Sequence, residues 1–291
     1  MKVGEEESGL LMKKLKFAKF QAAGNDFVII NNFDLKIKPK LYPGLAKKIC
    51  QPKFAVGADG FLAIEPPTRR DCDFKMVYYN SDGSFATMCG NGARCIAYYA
   101  YQLELCEDVA NFETAAGVIN CEIRPRSNVK IKLPDPKDFR PEIVVNLNDG
   151  RTLKVDFIDT GVPHTVIFVD DIEKVDVYNL GKEIRFHKIF SPEGTNVDFV
   201  QVKDEHTIYV RTYERGVENE TLSCGTGVLA SAIISAVKNF TKPQIKCYTR
   251  SGEVLFVGFK KNSIEDMISP VSDLYLEGKV HHVFDGEFYL D

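Results

Sequence analysis

The run Cys89-Gly90-Asn91-Gly92-Ala93-Arg94-Cys95-Ile96-Ala97 has a second version 135 residues later, Cys224-Gly225-Thr226-Gly227-Val228-Leu229-Ala230-Ser231-Ala232. Each C-G-x-G opens a stretch with helical character, Ala93 to Leu103 in one and Val228 to Val237 in the other. The near-uniform apolarity of Val228 to Ile234 predicts a helix buried on all sides, inside a curved sheet. Working outward, Tyr78 lies eleven residues before Cys89 and Tyr213 eleven before Cys224. Gly57-Ala58-Asp59-Gly60-Phe61-Leu62 matches Gly194-Thr195-Asn196-Val197-Asp198-Phe199-Val200, with one extra residue in the second copy. Gly24-Asn25-Asp26-Phe27-Val28-Ile29 matches Gly161-Val162-Pro163-His164-Thr165-Val166-Ile167, 137 residues on, and the turn at Gly117 matches the turn at Gly252. Any one of these pairs is an ordinary glycine-driven coincidence. Five in the same order predict a duplicated domain of about 135 residues.

Phe27 to Asn31, Phe74 to Tyr79 and Val166 to Val169 read as strands. Pro134 and Pro136 interrupt the strand Val129 to Leu133 and place the join between copies there. A last strand, Glu287 to Leu290 after a turn at Asp285-Gly286, has no partner at the end of copy one and is expected to return and complete it. The expected organisation is an N-terminal lobe of 12–133 plus 280–291 carrying Cys89, a C-terminal lobe of 134–279 carrying Cys224, and an extension over 1–11. That extension precedes Met12, which leaves a native segment and a misplaced start both open.

Composition narrows the classes of function. The balance of 37 basic against 41 acidic residues gives a net charge of −4, and no Lys/Arg run forms a stripe for phosphates, so nucleic acid is not an expected partner. The eight cysteines contain no C-x-x-C pair and are too sparse for a disulfide-built scaffold. The N-terminal residues are acidic where a signal peptide is basic, and no stretch approaches the roughly 18 apolar residues of a membrane span. A reducing cytoplasm is therefore the expected compartment, with thiols rather than disulfides.

Two copies facing each other about a pseudo-twofold axis present two thiols, each at the start of a helix, to one cleft. A helix start offers free N–H groups and a partial positive charge, which favour a thiolate and can hold a carboxylate. Opposed thiols around a carboxylate-bearing carbon form a two-base device: one takes the α-proton from one face and the other delivers a proton to the opposite face. The product is the inverted stereocentre. Taken singly, a cysteine opening a core helix is a small apolar packer; it is the matched pair that points to chemistry. Zinc is disfavoured, because no ligand spacing links the cysteines to each other or to the histidines. Cys50, Cys72, Cys95, Cys106, Cys121 and Cys247 read as packing or surface thiols.

Asn25-Asp26-Phe27 after a glycine, Asn80-Ser81-Asp82-Gly83-Ser84, Cys89-Gly90-Asn91-Gly92-Ala93-Arg94-Cys95, Gly161-x-Pro163-His164, Asn196, and Glu214-Arg215-Gly216 leading to Glu220-Thr221 and Cys224-Gly225-Thr226-Gly227 resemble the diaminopimelate epimerase family. The resemblance runs from Phe17 nearly to the end. It implies an isomerase that works without pyridoxal phosphate or metal, interconverts L,L- and meso-diaminopimelate, and serves lysine and peptidoglycan synthesis. The implied fold is α/β of the α+β type, with two pseudo-symmetric lobes, each a curved, mostly antiparallel sheet around a central helix.

By the same resemblance Cys89 and Cys224 are the acid/base pair. The amides of Gly90-Asn91 and Gly225-Thr226 hold the reacting carboxylate, where negative charge grows in the transition state. Arg215 offers a fork to the distal carboxylate, Asn25, Asn80 and Asn196 bind the distal amino-carboxylate, and His164 and Glu214 support proton movement at the thiols, Glu214 also bordering the substrate. Two positions depart from the pattern. Some members carry Asn at Val162 and Gln at Gly60, and neither residue here can supply a side-chain hydrogen bond. A two-thiol racemase of another amino acid, such as proline, is the alternative, and a ligand-binding protein without turnover is a third reading. No cofactor is expected, and a homodimer is left open.

Overall fold

A computed structural model of the chain describes residues 14–262 and 269–290. The expected extension over 1–11 lies outside the described residues, as does Met12.

In the first half, the alternating run Lys14–Ala22 pairs antiparallel with Asn25–Asn31 across the Ala23-Gly24 turn, and Asn25–Asn31 pairs parallel with Gly60–Glu65. The ladder continues through Phe74–Asn80, Val109–Thr114 and Gly117–Arg124 to Asn128–Lys132. The second half repeats it. Thr152–Asp159 pairs antiparallel with Pro163–Phe168, which pairs parallel with Asn196–Asp204, and Thr207–Glu214, Ile245–Tyr248, Val254–Lys261 and Val271–Lys279 follow. Asn128–Lys132 and Val271–Lys279, the last strands of the two series, pair with each other and join the halves.

Each half also carries a strand on its outer edge. Lys137–Asn146 pairs with Thr152–Asp159, and His281–Tyr289 pairs with Lys14–Ala22. The expected turn at Asp285-Gly286 is absent, because the strand runs straight through both residues. Gly286 faces Phe17, whose ring Cζ would stand 2.7 Å from a Cβ there, so the glycine makes room for a ring rather than for a turn.

Ladder register also corrects the alignment of the copies. Phe27 stands beside Gly60 and His164 beside Asn196, which makes Leu62 the counterpart of Asp198. Leu62 faces Tyr78 and Asp198 faces Thr212, so Tyr78 corresponds to Thr212 and not to Tyr213. The second copy is thus one residue shorter before the Asn196 strand, not one longer. Burial agrees: Tyr78 faces the inner core, whereas Tyr213 belongs to the outer cluster.

Helices Gly90–Gln102 and Gly225–Val237 sit inside the curved sheets. In the second, residues 227–236 are buried without interruption. Burying Leu229, Ile233 and Ile234 contributes roughly 1.5–3 kcal/mol per side chain. Both helices share one inner core with the concave faces of the two halves. On the convex faces Tyr42–Ile49 packs over Val28, Ile30 and Phe61, and Val177–Arg185 packs over Val197, Phe199 and Tyr213. Each sheet is therefore covered on both sides, and its central strands are apolar on both faces.

Candidate active site

Both thiols occupy the residue before a helix, in extended backbone: Cys89 at φ −143°, ψ 125° and Cys224 at φ −117°, ψ 110°. The two helix starts meet at one methyl group. A Cβ on Gly90 would lie 3.6 Å from Leu276 Cδ2, and a Cβ on Gly225 would lie 3.5 Å from the same atom. Leu276 comes from the strand that joins the halves, so the fold's pseudo-axis brings the two C-G-x-G turns together.

Cys89 is partly buried and donates to Asn25 Oδ1 at 3.5 Å. Burial pushes its thiol up from the ordinary range, with Glu214 adding to the effect, while the N–H groups of Gly92 and Asn91 and the Arg94 charge pull it down. Cys224 is 8% exposed and lies 3.3 Å from Thr226 Oγ1. Burial raises this thiol well above the ordinary range, Glu214 and Asp198 raise it further, and the Thr226 hydroxyl and Gly227 N–H oppose them. The helix starts act in the expected direction, but desolvation outweighs them, and both thiols rest protonated.

Glu214 raises both thiols, and burial lifts its own carboxyl above the usual range, against the nearness of the Thr221 hydroxyl and of His164. His164 is fully buried, with Nδ1 2.7 Å from Asp198 Oδ2 and Nε2 2.8 Å from Thr226 Oγ1. The other oxygen of Asp198 accepts from Thr212 Oγ1 at 2.7 Å. Asn196 donates to the Pro163 carbonyl at 3.0 Å and accepts from the Arg215 N–H at 2.8 Å. The Arg215 guanidinium donates to the Glu193 carbonyl at 3.4 Å, with its side chain about a quarter exposed.

On the Cys89 side, Asn25 Nδ2 donates to Asp59 Oδ2 at 2.8 Å. Asn91 Oδ1 accepts from the fully buried Arg94 at 2.6 Å. Asn80 accepts from Tyr78 at 2.9 Å and donates to Ser84 at 3.0 Å, so its amide is held within its own turn rather than against a thiol. Gly60 has no space for a side chain, since a Cβ would stand 2.6 Å from Tyr78 Cε2. Val162 uses its carbonyl to close the turn from Thr160 N–H at 3.2 Å.

Sequence reasoning missed Asp59, Asp198 and Thr212. Asp59 was visible only as part of a repeated glycine turn, and Asp198 and Thr212 look like outward polar residues of alternating strands. No signal in the sequence marks Asp198 and Thr212; the ladder places Thr212 against Asp198, and Asp198 reaches His164.

The fold and the two facing thiols fit an isomerase of the racemase and epimerase class, and the family the sequence matches makes it one. A probable proline racemase from Agrobacterium radiobacter K84 superposes with a TM-score of 0.72 at 15% identity, over 95% of this chain and 93% of that one. A hydroxyproline epimerase from Agrobacterium vitis gives 0.71 at 14%, over 96% and 94%. At such identities the likeness is one of fold. The sequence model of the family described as Diaminopimelate epimerase matches residues 17–137 and 157–271. The diaminopimelate epimerase of Aquifex aeolicus is 45% identical over 280 residues, 94% of this chain and 97% of that protein, and that of Methanocella arvoryzae is 38% identical over 96% and 99%. The chain belongs to the diaminopimelate epimerase family, and its activity is that of a diaminopimelate epimerase, an isomerase of lysine biosynthesis. Among the described residues no helix is long and apolar enough to cross a membrane.

Proposed function

We propose that the reaction is a two-base inversion at the α-carbon of diaminopimelate, L,L to meso and back, with Cys89 and Cys224 on opposite faces. One cysteine, as thiolate, takes the α-proton and becomes a thiol; the other, as thiol, gives its proton to the far face and becomes the thiolate. Each cysteine holds both roles, one in each direction. The N–H groups at Gly90-Asn91 and Gly225-Thr226 stabilise the negative charge that grows on the α-carboxylate. Arg215 takes the distal carboxylate, and Asn25, Asn80 and Asn196 line the distal amino-carboxylate. His164 and Glu214 manage the protons of the thiols. The two lobes are 12–133 with 280–291, carrying Cys89, and 134–279, carrying Cys224, working in the cytoplasm with protein groups alone.

The observation that carries this reading is the meeting of the two cysteine-capped helix starts at Leu276, with Glu214 in the field of both thiols. The test uses L,L-diaminopimelate in deuterated water under reducing conditions. The unaltered protein inverts Cα and fills it with deuterium, whereas Cys89→Ala and Cys224→Ala each abolish inversion. Substantial inversion by either variant overturns the two-base assignment.

A further inference from the structure

The two halves repeat each other in backbone but not around their thiols. On ladder positions where the first half carries Phe27, Leu62 and Tyr78, the second carries His164, Asp198 and Thr212. In the first half these positions are apolar packing, with Phe27 and Tyr78 edge to face at 6.1 Å. In the second they form a continuous hydrogen-bonded line, in which Thr212 Oγ1 donates to Asp198, Asp198 pairs with His164, His164 meets Thr226 Oγ1, and Thr226 Oγ1 meets Cys224 Sγ. Buried polar groups are costly unless each has a partner, and here each does.

The chemistry of the partners sets the direction of this line. A carboxylate only accepts, so the His164 nitrogen facing Asp198 carries the hydrogen, and Nε2 presents a lone pair to the Thr226 hydroxyl. With its own hydrogen turned to Nε2, Thr226 Oγ1 is free to accept from the Cys224 thiol. A proton can then leave Cys224 Sγ for Thr226 Oγ1 as the Thr226 proton passes to His164 Nε2. The thiol ends as thiolate and the imidazole as imidazolium beside Asp198, with no change in total charge.

We propose that Asp198 is a positioning residue that fixes this tautomer and thereby gives Cys224, and not Cys89, a built-in proton acceptor. This rests on the reading of Cys224 as one of the two acid–base thiols. The charged and titratable groups facing the line are Asp198 and Glu214, with Asp59 and His164 acting on Glu214. Simple charge repulsion predicts the opposite effect of Asp198, since its negative charge alone disfavours a Cys224 thiolate.

The test is the pH dependence of iodoacetamide alkylation at Cys224, followed by peptide mass spectrometry with Cys89 as the internal reference. In Asp198→Asn the amide can donate to Nδ1 and impose the other tautomer. The relay predicts at least a tenfold slower alkylation of Cys224 near neutral pH with Cys89 unchanged. It also predicts a fall in kcat of about 10²–10⁴, the upper figure being that for the equivalent change in a Ser-His-Asp triad, and little change in KM. Faster or unchanged alkylation of Cys224 overturns it. Thr226→Ser keeps the hydroxyl and the alkylation rate of the unaltered protein, whereas Thr226→Val loses both. If Asp198→Asn does not fold, the double variant His164→Phe with Asp198→Leu restores the apolar packing of the first half and is predicted to slow Cys224 in the same way. Inversion that survives Cys224→Ala removes the reading beneath, whereas an unaffected Cys224 in these variants removes only the relay.

Discussion

Asn25 Oδ1 stands 3.5 Å from Cys89 Sγ, and the same amide is anchored by its nitrogen, 2.8 Å from Asp59 Oδ2. Asp59 also accepts the Asp26 N–H at 3.1 Å, so one carboxylate fixes both the turn and the face that the amide turns to the thiol. Asp59→Ala frees the amide to rotate and present its NH2 to Cys89. A hydrogen bond to a charged group is worth about 1.5–3 kcal/mol, so kcat/KM is expected to fall roughly tenfold to a hundredfold. Steady-state rates on both stereoisomers check this, with a thermal scan to confirm that the fold survives.

Gly60 and Tyr78 share one space. Gly60→Gln, the residue some family members carry there, brings a Cβ to 2.6 Å from the Tyr78 ring. Overpacking of this kind costs about 1–3 kcal/mol. Gly60→Gln is expected to lower the denaturation midpoint in the original protein, and to cost much less when introduced into a Tyr78→Ala background. An equal cost of Gly60→Gln in both backgrounds refutes the steric account.

What the sequence revealed followed from the repeat. The C-G-x-G pairs stood out because both the glycines and the thiol recur, and the central helices followed from their apolar runs. Asp198 escaped notice because the Asn196 strand is buried on both faces: Val197 and Phe199 pack under helix Val177–Arg185, and Asp198 points inward to His164. Alternation signals an inside face only when the other face is wet. The outer helices Tyr42–Ile49 and Val177–Arg185 are short, and the Leu-x-Lys-x-Ile they share, Leu45 to Ile49 and Leu180 to Ile184, carries no glycine turn or thiol to make the match stand out. At Asp285-Gly286 a turn-forming pair proved to be a strand interior, because the ring of Phe17 leaves room there only for glycine.

The pH profile follows from the burial of the thiols. Turnover needs one thiolate and one thiol, and burial holds both cysteines above the ordinary range. As pH rises, the singly ionised pair becomes more populated, so kcat/KM is expected to climb through neutrality and fall only on the alkaline side, when the second thiol ionises. Glu214, also raised by burial, adds negative charge as it ionises and pushes both thiols further up. A profile that peaks below neutrality contradicts this ordering. In labelling runs Cys50, Cys106 and Cys121, pushed up to about 12, are expected to react slowly at pH 8.

Gly92 and Gly227 occupy equivalent places on the two helices, but their surroundings differ. A Cβ at Gly92 meets the Phe27 ring at 3.3 Å and Leu62 at 3.5 Å, apolar neighbours that can give by a few tenths of an ångström. A Cβ at Gly227 meets Asp198 Oδ1 at 2.2 Å and Thr212 Oγ1 at 3.0 Å. Replacing a helical glycine by alanine gains about 0.5–1 kcal/mol of conformational entropy. For Gly92→Ala that gain offsets the mild crowding, and stability is expected to stay within about 1 kcal/mol of the original. For Gly227→Ala the carboxylate must leave its place between Thr212 and His164, stranding buried polar groups at about 1–3 kcal/mol each. Urea midpoints are expected to separate the two variants clearly, with inversion lost only in Gly227→Ala. Equal behaviour of the two would mean that the polar line behind Cys224 contributes no more to fold or turnover than the apolar packing behind Cys89.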